Sequence, residues 1–193
     1  MRKLYIFDMG GVVSRNTNVI PLIAEHLNMD ERSIHAIAGG DFRELMTGNI
    51  SVEEFWKRFC WRTGRKVEKD LLEHFFHPTP DQKVRELVER IKSFARVVVG
   101  TNTIEPHYRI HLKNGDYDVF DAVYASHLMG LAKPDASFYT HILEREGCLP
   151  DAAVFIDDMK VNVEAARKLG IEAYLFEGAE RLARDLGVEI EKF

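Results

Sequence analysis

A run of four apolar residues, Leu4, Tyr5, Ile6 and Phe7, stops at an acid, Asp8, and glycines follow at positions 10 and 11. Apolar residues in succession, without alternation, read as a strand buried on both faces, the pattern of a parallel sheet covered by helices. Gly10 and Gly11 permit a sharp turn and the close approach of a ligand to the backbone. Asp8 is therefore expected at the carboxyl end of a central strand, where open α/β sheets bind their ligands. Taken alone, the stretch is equally a strand closed by an ordinary turn.

Repetition separates the two readings. Residues 96–99 are a second apolar run, leading into Gly100, Thr101, Asn102 and Thr103. Residues 122–125 are a third, followed by a loop containing Gly130, Lys133 and Pro134. Residues 153–156 are a fourth, ending at Asp157 and Asp158. If all four strands lie in one sheet, an acid, a hydroxyl, a lysine and an acid pair share one rim.

That ordered set resembles the haloacid dehalogenase superfamily, most members of which are magnesium-dependent phosphatases. The matching stretches are Phe-Asp-Met-Gly-Gly-Val-Val at 7–13, Gly-Thr-Asn-Thr at 100–103, Gly-Leu-Ala-Lys-Pro-Asp at 130–135 and Phe-Ile-Asp-Asp at 155–158, with a helix at 162–170 after them. They span almost the whole chain. The pattern is most similar to small sugar-phosphate phosphatases and to the phosphatase domain of soluble epoxide hydrolases.

The length, 193 residues, suits one compact domain or a domain with a modest insertion. The balance of 26 basic against 31 acidic residues, a net charge of −5, argues against a nucleic-acid groove. Cys60 and Cys148 lie far apart and read as ordinary thiols of a reducing compartment. Asp8 interrupts the only apolar run near Met1, so no signal peptide is expected there. With no apolar stretch of about 20 residues, no membrane span is expected either. A soluble, cytoplasmic protein, monomer or homodimer, follows as the expectation.

Between Ser14 and Pro80 the spacing is helical, with no strand-like run. Helices are expected at 20–27, at 30–37 with a stop at Gly39 and Gly40, at 41–46, from a capping box at Ser51 and Glu54 onward, and at 68–76. Phe42, Trp56 and Trp61 are expected inside this block. Further helices are expected at 81–94, 106–112, 136–146, 162–169 and 179–186, and a fifth strand at 171–176. Alternation of strands and helices predicts an α/β fold, a Rossmann-like and mostly parallel sheet of about five strands flanked by helices. The resemblance implies that residues 15–80 are an all-helical cap inserted after the first strand, with 1–14 and 81–193 as the catalytic core. Caps close over substrate and exclude water; Arg15 and Arg43 are its candidate substrate contacts.

His107 and His111 stand four apart on a predicted helix, a spacing that places two imidazoles on one face for a metal. No third ligand is near in sequence, and they are read as structural, as are His74 and His77. Asp135 is expected to cap the helix that follows it.

Attack of a carboxylate on a phosphate dianion needs positive charge, and oxygen ligands suit Mg²⁺. Asp8, Asp157 and Asp158 are the available carboxylates, and nothing in the sequence separates the roles of the last two. The resemblance adds the Gly10 carbonyl as a ligand and makes Asp8 the nucleophile of an aspartyl-phosphate intermediate. It makes Lys133 the neutralising cation and places Thr101, Asn102, Gly10 and Gly11 around the phosphoryl group of a small phosphorylated metabolite. One position departs from the pattern. Most phosphatases of the superfamily carry a second Asp two residues after the nucleophile, as general acid and base, and here that position is Gly10. Three readings remain open at this point: a phosphatase for esters with good leaving groups, a dehalogenase, or a homologue that binds without catalysis.

Overall fold

The computed structural model describes residues 3–189, so the first two and last four residues of the expected core lie outside it. Five strands, β1 (Leu4–Phe7), β4 (Arg96–Thr101), β5 (Ala122–Ala125), β6 (Ala153–Asp157) and β7 (Glu172–Leu175), form one sheet in the order β5-β4-β1-β6-β7. Every pairing in it is parallel. The apolar runs have a simple cause. Tyr5, Phe7, Val97 and Val99 pack on one face, against helices α5 (Gln82–Lys92) and α10 (Ala179–Leu186). Leu4, Ile6, Val98 and Phe155 pack on the other, against α8 (Ala136–Glu146) and α9 (Lys160–Lys168). With both faces covered, a central strand has no polar side to show. Helices α6 (Glu105–Lys113) and the short α7 (Ser126–Met129) follow β4 and β5.

Helices α1 (Ile20–Leu27), α2 (Glu31–Met46), α3 (Val52–Thr63) and α4 (Leu71–His74) surround a separate apolar cluster that includes Ile23, Ile34, Leu45, Phe55 and Phe59. Their starts are held by side chains. Asp30 accepts from the Ser33 amide at 2.9 Å, Ser51 from Glu54 at 3.1 Å and Asp70 from Leu72 at 3.0 Å. Each such cap is worth about 1 kcal/mol. Ile104, next to α6, packs into this cluster and seats the block on the sheet domain.

Four expectations are corrected. The helices expected at 30–37 and 41–46 are one helix, α2, which runs through Gly39 and Gly40 because Ile34, Ala38 and Leu45 are buried along one continuous face. The stretch before residue 81 is not wholly helical: β2 (Ser14–Arg15) and β3 (Thr79–Pro80) pair antiparallel and tie its two ends together. Of the helix expected at 68–76, only α4 forms. Trp61 is 85% exposed, whereas Trp56 is buried and donates to Asp70 Oδ1 at 2.8 Å. No helix among the described residues is long and apolar enough to cross a membrane.

Candidate active site

Strand register assembles the rim. Phe7 pairs with Val99 on one side and with Ile156 on the other. The next residues along, Asp8, Gly100 and Asp157, therefore come level at the carboxyl edge. The Asp8 amide donates to the Ile156 carbonyl at 2.9 Å and so continues the ladder one step past the strand. Thr101, one residue beyond Gly100, is buried at the same edge.

Lys133 reaches this row from the loop after β5. Its Nζ lies 2.7 Å from Asp8 Oδ1 and 2.7 Å from Asp157 Oδ2, and it donates to the Gly100 carbonyl at 3.1 Å. Asn102 holds the loop in place. Its amide donates to the Lys133 carbonyl at 3.0 Å, and its Oδ1 accepts from the Lys133 amide at 2.8 Å. Burial alone would depress the lysine, but Asp8 and Asp157 outweigh it and hold the ammonium charged. Burial pushes the Asp8 carboxyl up, Lys133 pulls against it and Asp157 adds to the rise; it ends at about 6. Burial and Asp157 likewise raise Asp158.

The acid pair divides its work. Asp157 is fully buried and saturated: besides Lys133, it accepts from the Met159 amide at 2.8 Å and from Asn162 Nδ2 at 3.0 and 3.1 Å. Asp158 is exposed and lines a cavity of about 250 Å³ that also opens on Asp8, Gly10, Gly11, Thr101 and Lys133. One carboxylate oxygen each from Asp8, Asp157 and Asp158 lie within 4.8 Å of one another. Three carboxylates against one ammonium leave two negative charges uncompensated (1 − 3 = −2). An all-oxygen donor set with that deficit fits a hard divalent cation such as Mg²⁺.

The glycines have separate reasons. Gly11 has φ +81°, and a Cβ there would stand 2.2 Å from Asp158 Oδ2, so only glycine serves. At Gly10 a Cβ would meet Thr17 Oγ1 at 3.1 Å. Thr17, from the loop after β2, thus stands beside the position where the second Asp of the superfamily pattern would be.

Not every expected residue arrives. Arg15 is paired with Asp81, its Nη2 2.5 Å from Oδ2, and does not line the cavity. Arg43 is spent on Asp135, with Nη2 2.5 Å from Oδ2. Asp135 does occupy the N-cap position of α8, but it makes no side-chain cap bond there. Conversely, Thr17, Phe76, Thr103, His107, His111, Met159 and Asn162 line the cavity without having been assigned to it. The four-residue spacing of His107 and His111 is the one signal in the sequence that points to this part of the cavity.

A family model described as haloacid dehalogenase-like hydrolase matches residues 5–176. A sesquiterpene phosphatase of Aspergillus oryzae is 26% identical over 175 residues, covering 88% of this chain and 87% of that protein. A D-ribitol-5-phosphate phosphatase of Bacteroides thetaiotaomicron is 26% identical over 204 residues, covering 97% and 98%. Two larger relatives match over about a fifth of their own length, 19% and 21%. Among solved structures, the magnesium complex of a family enzyme from Bacteroides thetaiotaomicron superposes with a TM-score of 0.80 at 24% identity, covering 96% of this chain and 98% of that one. The rim of acids around a buried lysine, the sheet order and the extent of the match lead to one assignment: the chain belongs to the haloacid dehalogenase-like hydrolase family.

Proposed function

We propose that the chain is a Mg²⁺-dependent phosphatase that hydrolyses a small phosphorylated metabolite through an aspartyl-phosphate on Asp8. The observation that carries this reading is the charge set at the rim: one buried lysine shared between Asp8 and Asp157, with Asp158 free toward the cavity. Asp8, Asp158 and the Gly10 carbonyl would hold the ion, and Asp157 would act mainly by fixing Lys133. When bound, Mg²⁺ would offset the negative charge of the carboxylates and the phosphoryl group. The phosphatases among the relatives, and the magnesium complex among the similar structures, support the same reading.

In the first half-reaction an Asp8 oxygen attacks phosphorus and the ester oxygen departs with its electron pair. Lys133, 2.7 Å from Asp8, spreads the developing charge. The Thr101 hydroxyl and the Asn102 backbone amide are the donors available to the phosphoryl oxygens, the Gly11 amide being committed to the Ser14 carbonyl at 2.8 Å. Gly10 offers no carboxyl to protonate the leaving oxygen, so that proton comes from water or from the substrate. In the second half-reaction water attacks the acyl phosphate, releases inorganic phosphate and returns Asp8 as a carboxylate. A missing general acid costs about 10²–10⁴-fold in rate, and esters with good leaving groups should therefore be the faster substrates.

The test is inorganic phosphate release from a panel of sugar 1- and 6-phosphates, polyol phosphates and nitrophenyl phosphate, with and without Mg²⁺, beside an Asp8→Asn control. Metal-dependent release that disappears in the control supports the proposal. Absence of release from every ester, the activated one included, sinks it.

A further inference from the structure

The cavity has two chemically distinct ends. Around Asp8 it presents an ammonium, a hydroxyl and the Asn102 backbone amide, suited to phosphoryl oxygens. Away from them, Phe76 of the helical block and His107 and His111 of α6 form a wall. The two histidines stand one helical turn apart and share a face.

One nitrogen of each ring is committed. His107 Nε2 lies 3.0 Å from the Leu72 carbonyl. A carbonyl only accepts, so Nε2 carries the hydrogen and Nδ1 keeps its lone pair. His111 Nδ1 lies 2.7 Å from Asp116 Oδ2. The carboxylate accepts there, which leaves His111 Nε2 with its lone pair. Burial drives His107 down to about 4, and it holds His111 below the ordinary imidazole value despite Asp116. Both rings are thus neutral near pH 7 and keep these tautomers. Neither His107 Nδ1 nor His111 Nε2 has a protein partner among the described residues.

The rings are also held still. Phe76 stacks on His107 with ring centres 3.7 Å apart and planes 6° from parallel, and it meets His111 edge-on at 5.2 Å. A metal is not what this pair is built for, because no third protein ligand among the described residues stands with the two imidazoles. Among the described residues the group that could hold an ion is Asp8, Asp157 and Asp158. Two neutral imidazoles that line a small cavity, each keeping one acceptor nitrogen, repel phosphate oxygens and gain nothing from an alkyl chain. A hydroxyl is the group that matches them.

We propose that His107 and His111 are specificity-determining residues that accept hydrogen bonds from hydroxyls of the leaving group, selecting polyhydroxylated phosphate monoesters over alkyl phosphates of the same length. This rests on the phosphatase reading for the phosphorylated nature of the ligand. Phe76 and the Leu72 carbonyl belong to the helical block, so the selective wall is completed only when that block sits on α6.

The experiment compares ribitol 5-phosphate with n-pentyl phosphate, which has the same chain length and lacks the hydroxyls. The proteins are the wild type, His107→Phe, and His111→Phe combined with Asp116→Asn so that no buried carboxylate is left unpaired. The wild type should favour the ribitol ester by tenfold or more in kcat/KM. Each variant should cut that ratio about tenfold, chiefly through KM. A merely structural role would lower both esters together, and an unchanged ratio in the variants overturns the proposal. Should a variant fail to fold, the wild-type ratio alone decides, since equal kcat/KM for the two esters is equally fatal. Calorimetric binding of both esters to Asp8→Asn separates this proposal from the one beneath it. Preferential binding of the ribitol ester, with no phosphate release by the wild type, removes the phosphatase and keeps the histidines. Release from both esters at the same rate does the reverse.

Discussion

Two charge clusters in this molecule are built on buried carboxylates. At the sheet rim, Asp8, Asp157 and Asp158 gather around Lys133. In the helical block, Asp41 is buried between Arg58 and Arg62, and Arg58 also binds Glu44 and Glu54. The ingredients are alike and the outcomes opposite. The Arg62 hydrogen bond outweighs burial and holds the Asp41 carboxyl below its ordinary range, with Arg58 adding to it. Asp8 is driven up, because burial exceeds what one shared lysine returns. The helical cluster is closed: both oxygens of Asp41 accept from arginines, and its work is to join α2 to α3. The rim is short of positive charge, and that shortage is what a dication and a phosphoryl transfer site require.

Removing the lysine should produce the largest effect. In Lys133→Met two buried carboxylates lose the cation they share. Breaking a buried pair costs about 3–5 kcal/mol, a fall in Tm of roughly 10 °C for a chain of this size. Turnover should drop by at least about 10²-fold, as when one preorganised charge-stabilising group is removed. Mg²⁺ should restore part of the lost Tm, because it binds the folded carboxylates and not the unfolded chain. Differential scanning calorimetry with and without Mg²⁺ reads this directly. If the variant were as stable as the wild type in metal-free buffer, the rim would not be short of positive charge.

Acid should break the other cluster. Asp41 has a lower pKa folded than unfolded, so the folded state gives up its proton more readily. The stability this provides is fully present above the unfolded value of about 4, and is lost as pH falls toward the depressed folded value. Asp41→Asn should lower Tm by a few degrees at pH 7 and flatten its decline below about pH 4. The same acid titration should leave the Mg²⁺-induced rise in Tm at pH 7 unchanged between the variant and the wild type. A loss of that rise in Asp41→Asn would couple two clusters that the structure keeps apart.

How much of this was legible in the chain depends on range. The central strands β1, β4 and β6 are legible because burial on both faces writes itself as an apolar run, and each leads into residues of the rim; the edge strands β5 and β7 are only partly buried, and β7 opens on the exposed Glu172. The ribbon of β2 and β3 is not legible, because two residues have no periodicity to read. The separate duties of Asp157 and Asp158 were hidden for a geometric reason. Successive residues at a strand end point to opposite sides, so one meets Lys133 and Asn162 and the other meets the cavity. Arg43 and Asp135 meet across 92 residues, and Asp116 finds His111 only once the loop after α6 has folded back. Trp61 departs from the expected burial for a geometric reason: the buried residues of α3 are Phe55, Trp56 and Phe59, and a position two beyond Phe59 falls off that face.

The smallest expected effect tests the scaffold of the closed cluster. Gly39 and Gly40 lie inside α2, immediately before Asp41, and by sequence they should end a helix. Both are exposed, neither has a positive φ, and a Cβ on either would have nothing within 4 Å. Glycine in such a place carries only its entropic cost, because it has more conformational freedom to lose on folding than alanine has. Gly39→Ala and Gly40→Ala should each stabilise the protein by about 0.5–1 kcal/mol. The gains should be close to additive, since adjacent helix positions do not face each other. A rise of a few degrees in Tm for the double variant, with an unchanged acid limb, would mean that α2 is continuous in solution and that Asp41 reaches Arg58 and Arg62 from a straight helix. A fall in Tm would mean that the chain breaks at this pair, as the sequence taken alone predicts, and that Asp41 reaches Arg58 and Arg62 from a separate short helix.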